Sequence, residues 1–162
     1  MCSFLRSTMP AVLRRCPGVR LRVIGRHAGQ ALRTLAAGFG PAVALEGYVD
    51  DLDAVLSRSS AVIAPLRFGS GVKIKVLEAL ARGVPLIATE RAAEGIPVRP
   101  RGADGCLVED DLTTWPELIG GLVDPERNAR LSTAAADFFD RTYGTEVVTA
   151  QYDKIFELAP AR

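Results

Sequence analysis

Cysteine is scarce in this chain and histidine nearly absent. The 162 residues hold Cys2, Cys16 and Cys106, and His27 is the single histidine. Three cysteines, far apart and without a CxxC pair, argue against a disulfide framework or a zinc site, and fit a reducing, cytosolic compartment. Long apolar runs are missing too. None nears the ~20 residues needed to span a bilayer, and Arg6 and Pro10 interrupt the apolar core a secretory signal would need. Nor is there an excess of charge. Lys and Arg total 20 against 19 for Asp and Glu, and a net charge of +1 gives no bulk attraction to nucleic acid or anionic membrane. Arg14, Arg15, Arg20, Arg22 and Arg26 gather early in the chain and read as a solvated helix face and strand edge. No repeat or low-complexity linker divides the sequence. What is present, 48% hydrophobic and 24% charged residues, suits one globular domain with a sizeable core.

The pattern along the chain alternates. Residues 3–15 form a fair helix punctuated by Pro10, and 20–25 alternate and turn at Gly25 as a strand does. Residues 28–38 are amphipathic and helical, 43–47 form a second strand, and 50–57 a helix that Asp50 or Asp51 is placed to cap. The continuous apolar run 61–66 is that of a strand buried on both faces of a parallel sheet. Strands follow at 85–89 and 105–108, separated by an irregular segment, and helices at about 113–123, 125–140 and 145–158 close the chain. Strands and helices alternating at short spacing predict an α/β fold: a parallel sheet with helices on both faces. Ligands of such sheets bind beyond the C-terminal strand ends, where Gly25, Gly47 and the loop 68–71 all fall.

The most informative stretch is 65–85. Pro65-Leu66-Arg67-Phe68-Gly69-Ser70-Gly71-Val72 ends a strand in a glycine loop, and Lys73-Ile74-Lys75-Val76-Leu77-Glu78-Ala79-Leu80-Ala81-Arg82 reads as the helix behind it. Such a junction offers free amides and a positive helix end to an anion. Lys75, Glu78 and Arg82 share one face of a helix otherwise almost wholly apolar. That charged stripe must open onto something polar, and a nucleotide suits it. The plainer alternative is an exposed ladder of charges. Ser70 is equally suited to cap the helix, and Gly69 and Gly71 to make a tight turn. Lys73 faces solvent unless the helix begins after it. His27 reads as a surface residue, Trp115 as helix packing, and Glu94 as either a sugar ligand or half of a loop salt bridge. The loop is not a Walker A motif, since its glycine and lysine spacing differs and no Ser or Thr follows Lys73.

The segment 65–90 resembles the donor-site signature of retaining GT-B glycosyltransferases of family 4. Arg22-Val23-Ile24-Gly25 is similar to that family's strand ending in glycine. Glu46-Gly47-Tyr48-Val49-Asp50-Asp51 resembles its base-rim segment, and Glu94-Gly95 with Gly105-Cys106-Leu107-Val108 its downstream pattern. The resemblance covers roughly residues 10–155 and is specific over 61–108. It implies a Rossmann-like nucleotide-sugar-binding domain over 1–145, the C-terminal domain of a GT-B protein, and a helical tail over 146–162. Glu78 would accept hydrogen bonds from the ribose hydroxyls and Lys75 would approach the diphosphate. The amides of Gly69, Ser70, Gly71 and Val72 would cradle phosphate or donor sugar. Gly25, Gly47, Tyr48 and Val49 would line the base and ribose rim. Ser70 stands where the family carries the first of two glutamates eight residues apart. In the family a further strand, central in the sheet, precedes the helix with which this sequence opens, so a sheet missing its first strand is expected.

The resemblance implies transfer of a hexosyl group from a nucleotide-diphosphate sugar, in cell-envelope or polysaccharide biosynthesis. No cofactor, metal or catalytic side chain is implied. The acceptor domain would come from missing N-terminal sequence, and peripheral membrane contact would run through that half. The location is cytoplasmic or peripheral to the inner membrane face, and the isolated chain is expected to be inactive. A non-catalytic nucleotide-binding module or inactive remnant is the alternative.

Overall fold

A computed structural model describes residues 1–69 and 73–157. The chain opens with helices α1 (Cys2–Ser7) and α2 (Met9–Arg15), then β1 (Leu21–Ile24), α3 (Gln30–Ala37), β2 (Val43–Glu46) and α4 (Leu52–Leu56). There follow β3 (Val62–Ala64), α5 (Ile74–Ala81), β4 (Leu86–Ala88), α6 (Glu90–Ala93) and β5 (Cys106–Val108), and last α7 (Trp115–Gly121), α8 (Pro125–Tyr143) and α9 (Thr145–Glu157). The expected strands and most helices are present. The helix expected over 3–15 is broken at Thr8 into α1 and α2. Helix α6 lies in a stretch expected to be irregular.

Every strand pairing is parallel, as the alternation predicts. The sheet, however, is not one. β1 pairs with β2, and β3, β4 and β5 form a second sheet with β4 in its middle. The three-stranded sheet is sandwiched. Leu86, Ala88 and Cys106 join Leu56, Val76, Ala79, Leu80, Ala135 and Phe138 of α4, α5 and α8 on one face. Ile87 and Leu107 join Phe4, Leu5, Met9, Val12 and Trp115 of α1, α2 and α7 on the other. That second cluster also takes in Val43, Leu21, Val23 and Leu45, so one apolar layer runs beneath both sheets. Trp115 is fully buried there, its ring 5.8 Å from that of Phe4 and its indole N–H donating to the Glu109 carbonyl at 3.0 Å.

Crossover handedness fixes how the sheets meet. Helix α3, after β1, packs on the α1 and α2 face, and α5, after β3, packs on the opposite face. Right-handed β-α-β connections on opposite faces carry the strand order in opposite directions. β1 and β3 are therefore the inner strands, with β2 and β5 outermost. Among the described residues no strand joins them, and the strands form two sheets.

Helix α8 holds the second sheet from behind. The Ser132 hydroxyl donates to the Gly83 carbonyl at 2.6 Å, just past the end of α5. Gly105 enters β5 with φ +71, and a Cβ there would lie 2.6 Å from the main-chain nitrogen of Ala135. Only glycine fits both the left-handed conformation and that approach. Beside it the buried Asp104 carboxylate accepts from the Arg99 main-chain N–H at 2.6 Å, and from the guanidinium groups of Arg99 at 2.6 Å and Arg141 at 3.3 Å. The Arg99 hydrogen bonds, opposed by burial, hold the Asp104 carboxyl below its ordinary range.

Two stability predictions follow from these contacts. Gly105→Ala combines a strained conformation with overpacking and should lose roughly 2–5 kcal/mol in urea denaturation. Asp104→Ala should lose about 1–3 kcal/mol at neutral pH. Because the folded-state pKa is depressed, the ionised Asp104 stabilises the fold fully above the unfolded value of about 3.9. That contribution fades as pH falls through the folded pKa. The gap between parent and variant, measured by denaturation at pH 7 and at pH 3, should narrow on acidification.

Candidate functional site

The C-terminal ends of the strands carry the loops that sequence reasoning singles out. Where strand order reverses, between β1 and β3, a doubly wound sheet leaves a crevice. Gly25 and Gly47 lie on the β1 and β2 side, and the Gly25 N–H donates to the Glu46 and Gly47 carbonyls at 3.2 and 3.1 Å, tying the two loops together. Tyr48 is 66% exposed, and the Arg26 guanidinium sits 4.7 Å from its ring centroid, a cation–π contact without a signal in the sequence. Val49 is half-buried and His27 exposed. Below this rim Arg22 and Glu46 form a bidentate pair at 2.6 and 2.5 Å, which keeps the Glu46 carboxyl below its ordinary range.

On the β3 side, Phe68 and Ile74 flank the glycine loop and are 88% and 71% exposed. Ser70, Gly71 and Val72 lie outside the described residues. Gly69 has φ +114, and the Lys73 side chain runs past it, with Cε 3.7 Å from where a Cβ would stand. Helix α5 begins at Ile74 with Lys73 at its N-cap, so Lys73 precedes the helical face and runs beside Gly69.

The charged stripe of α5 divides. Arg82 pairs with Asp53 of α4 and donates to the Glu78 carbonyl at 3.1 Å, so it fastens α5 to its neighbour. The expectation that it opens with the others onto a ligand is corrected by that pairing. Lys75 is exposed and Glu78 half-buried, and among the described residues neither side chain has a hydrogen bond or ion pair. Asp51 rather than Asp50 caps α4, accepting from the Ala54 N–H at 2.8 Å.

A cleft of about 540 Å³ lies at the ends of β3 and β4, lined by Leu66, Arg67, Thr89, Glu90, Arg91, Glu94 and Asp110. Neither Lys75 nor Glu78 lines it. Arg91 is engaged with Glu94 at 2.9 Å, so the salt-bridge reading of Glu94 holds, while Arg67 has no ion pair among the described residues. The Thr89 hydroxyl donates to the Leu66 carbonyl at 2.6 Å and accepts from the Ala92 N–H at 3.3 Å. It thereby caps α6 and pins the strand end from which the glycine loop departs. A Thr after an apolar strand is a cap signal, but the Leu66 contact spans 23 residues and leaves no local trace. Burial pushes the Cys106 thiol up to about 12, which leaves it inert. Among the described residues no cluster of His, Cys, Asp and Glu could hold a metal ion, and no helix is long and apolar enough to cross a membrane.

The family model described as "Glycosyl transferases group 1" matches residues 1–124. The chain belongs to this glycosyltransferase family. It is 29% identical over 159 residues to a phosphatidyl-myo-inositol mannosyltransferase of Mycobacterium leprae, covering 96% of this chain and 42% of that enzyme. It is also 29% identical over 144 residues to an exopolysaccharide phosphotransferase of Streptomyces coelicolor, covering 86% of this chain and 15% of the relative. Among solved structures, Anabaena HepE in complex with UDP superposes with a TM-score of 0.77 at 14% identity, over 94% of this chain and 44% of HepE. The apo lipopolysaccharide outer core galactosyltransferase WaaB gives 0.59 at 16% identity, over 90% and 45%. The chain thus spans less than half the length of each of these proteins, and the Rossmann-like parallel α/β class expected from sequence is the fold it shares with the two solved structures.

Replacing Thr89 tests how the end of β3 is anchored. Thr89→Val should cost about 1–2 kcal/mol through the lost cap and the unpaired Leu66 carbonyl, whereas Thr89→Ser should retain most of the stability. Chemical denaturation of the two variants checks both.

Proposed function

We propose that this chain is the donor-binding half of a retaining glycosyltransferase that moves a hexosyl group from a nucleotide-diphosphate sugar, in cell-envelope or polysaccharide biosynthesis. The observation that carries the reading is Glu78. It is half-buried on α5, behind the glycine loop, and without a partner among the described residues. A carboxylate is costly to bury without compensation, and two vicinal ribose hydroxyls would supply it. Lys75, one turn nearer the loop, would meet the diphosphate as a point charge. The amides from Gly69 to Val72 would receive phosphate or sugar oxygens, and Gly25, Gly47, Tyr48 and Val49 would border the base and ribose. Family membership and the UDP complexes of HepE support a nucleotide-sugar as ligand.

Positioning and electrostatics would carry the reaction. The bond between the anomeric carbon and the diphosphate oxygen breaks, the electron pair leaving with the diphosphate. The acceptor hydroxyl bonds to that carbon on the same face, and its proton passes to the departing phosphate oxygen. No side chain here need act as nucleophile. The acceptor would be held by a further domain, and the isolated chain would bind donor without turnover.

Calorimetric titration of the chain with UDP and with GDP tests the assignment. Glu78→Ala should weaken the nucleotide that binds by about 1–3 kcal/mol, roughly 5- to 150-fold. Its stability should stay within about 0.5 kcal/mol of the parent, since no partner is lost. Unchanged affinity would remove Glu78 from the site. Affinity for neither nucleotide would defeat the donor-binding reading.

A further inference from the structure

The Arg26 guanidinium is held in place, yet its donors are unspent. β1 and β2 pair with Ile24 opposite Glu46, and just beyond, the Gly25 N–H donates to the Glu46 and Gly47 carbonyls. That junction brings the next side chains, Arg26 and Tyr48, together at the C-terminal ends of the strands. The guanidinium carbon lies over the ring, 4.7 Å from its centroid. Both residues are exposed, so neither serves to fill the core. Two carboxylates of the adjoining segment are committed elsewhere, Glu46 to Arg22 in a bidentate pair and Asp51 to the first turn of α4. Among the described residues the Arg26 side chain forms no hydrogen bond or ion pair, and Asp50 forms no ion pair. A guanidinium resting on a ring face keeps its N–H donors free at its own rim. It has no acceptor atom and does not lose its charge.

We propose that Arg26, carried on Tyr48, reads the base of the donor nucleotide and selects guanine, so that the donor is a GDP-sugar. The inference rests on the donor-binding reading, which brings the base to the rim of Gly25, Gly47, Tyr48 and Val49. A guanidinium fork needs two acceptors side by side on one edge, and guanine offers them in O6 and N7. Adenine sets an amino donor beside its N7, cytosine carries an amino donor in place of the oxygen, and uracil presents O4 as a lone acceptor. The fork therefore distinguishes guanine from each of the others. Tyr48 contributes by fixing the guanidinium before the ligand arrives, which lowers the ordering cost of binding. Its ring also extends the surface on which a base can stack. A cation–π pair that only stiffened the rim would not tell one base from another.

Calorimetric titration of the whole chain with GDP, UDP, inosine diphosphate and the 7-deaza analogue of GDP tests the assignment. GDP should bind about tenfold or more tightly than UDP. Inosine diphosphate keeps O6 and N7 and should bind within about threefold of GDP, whereas the 7-deaza analogue lacks N7 and should lose about fivefold or more. Arg26→Ala should erase both differences, chiefly by weakening GDP. The nucleotide series on the parent chain tests the reading without any substitution, so it stands even if a variant folds poorly. UDP binding as tightly as GDP, or the 7-deaza analogue binding as tightly as GDP, would overturn the guanine assignment and leave the donor-binding reading intact. Equal losses of GDP and UDP affinity in Arg26→Ala would overturn it too, since a charge felt by the diphosphate alone acts on both. Affinity for none of the nucleotides would overturn this inference together with the donor-binding reading.

Discussion

Burial of β4 on both faces is the constraint on which the rest of the molecule depends. Leu86 and Ala88 point into one cluster and Ile87 into the other, so three consecutive residues commit helices to both sides of the sheet. Each cluster then dictates its own close fit. On one side α8 approaches so near the start of β5 that only Gly105 is tolerated. On the other, Trp115 and Phe4 fill the space under Ile87 and Leu107. The buried Asp104, held by two arginines, completes the α8 side by compensating a charge that would otherwise be costly.

The same layering places the functional loops. Because α3 and α5 cover opposite faces, strand order runs outward in both directions from the junction of β1 and β3. The loops of both sheets therefore lie at the same, C-terminal, ends of the strands. Gly25, Gly47 and Tyr48 come from one side and Phe68 and Gly69 from the other, though they are distant in sequence. The exposed side chains of Tyr48 and Phe68 lie in these loops, and that of Ile74 at the first residue of α5.

Much of this was legible beforehand, and the exceptions share a cause. Apolar runs and glycine or proline punctuation marked all five strands, since those signals are local. Asp51 could be narrowed only to a pair with Asp50, as capping turns on a single main-chain angle. Arg82 looked equivalent to Lys75 and Glu78 because helical spacing places the three together, but the position of Asp53 on a neighbouring helix decided otherwise. Helix α6 escaped notice because four residues carry no periodicity, and its cap, Thr89, draws its importance from a carbonyl 23 residues away.

The sequence by itself determined a parallel α/β chain with a glycine loop opening a largely apolar helix, and its membership of a glycosyltransferase family was readable from that loop and its neighbours. Hydrophobic period and turn chemistry are properties of adjacent residues, and they survive without coordinates. Only the tertiary structure decided that Glu78 has no partner among the described residues while Arg82 pairs with Asp53, that Lys73 runs past Gly69, and that the strands divide into two sheets. Those outcomes depend on which side chains and strands arrive at the same place from remote parts of the chain. Spacing along a sequence cannot encode an encounter in space.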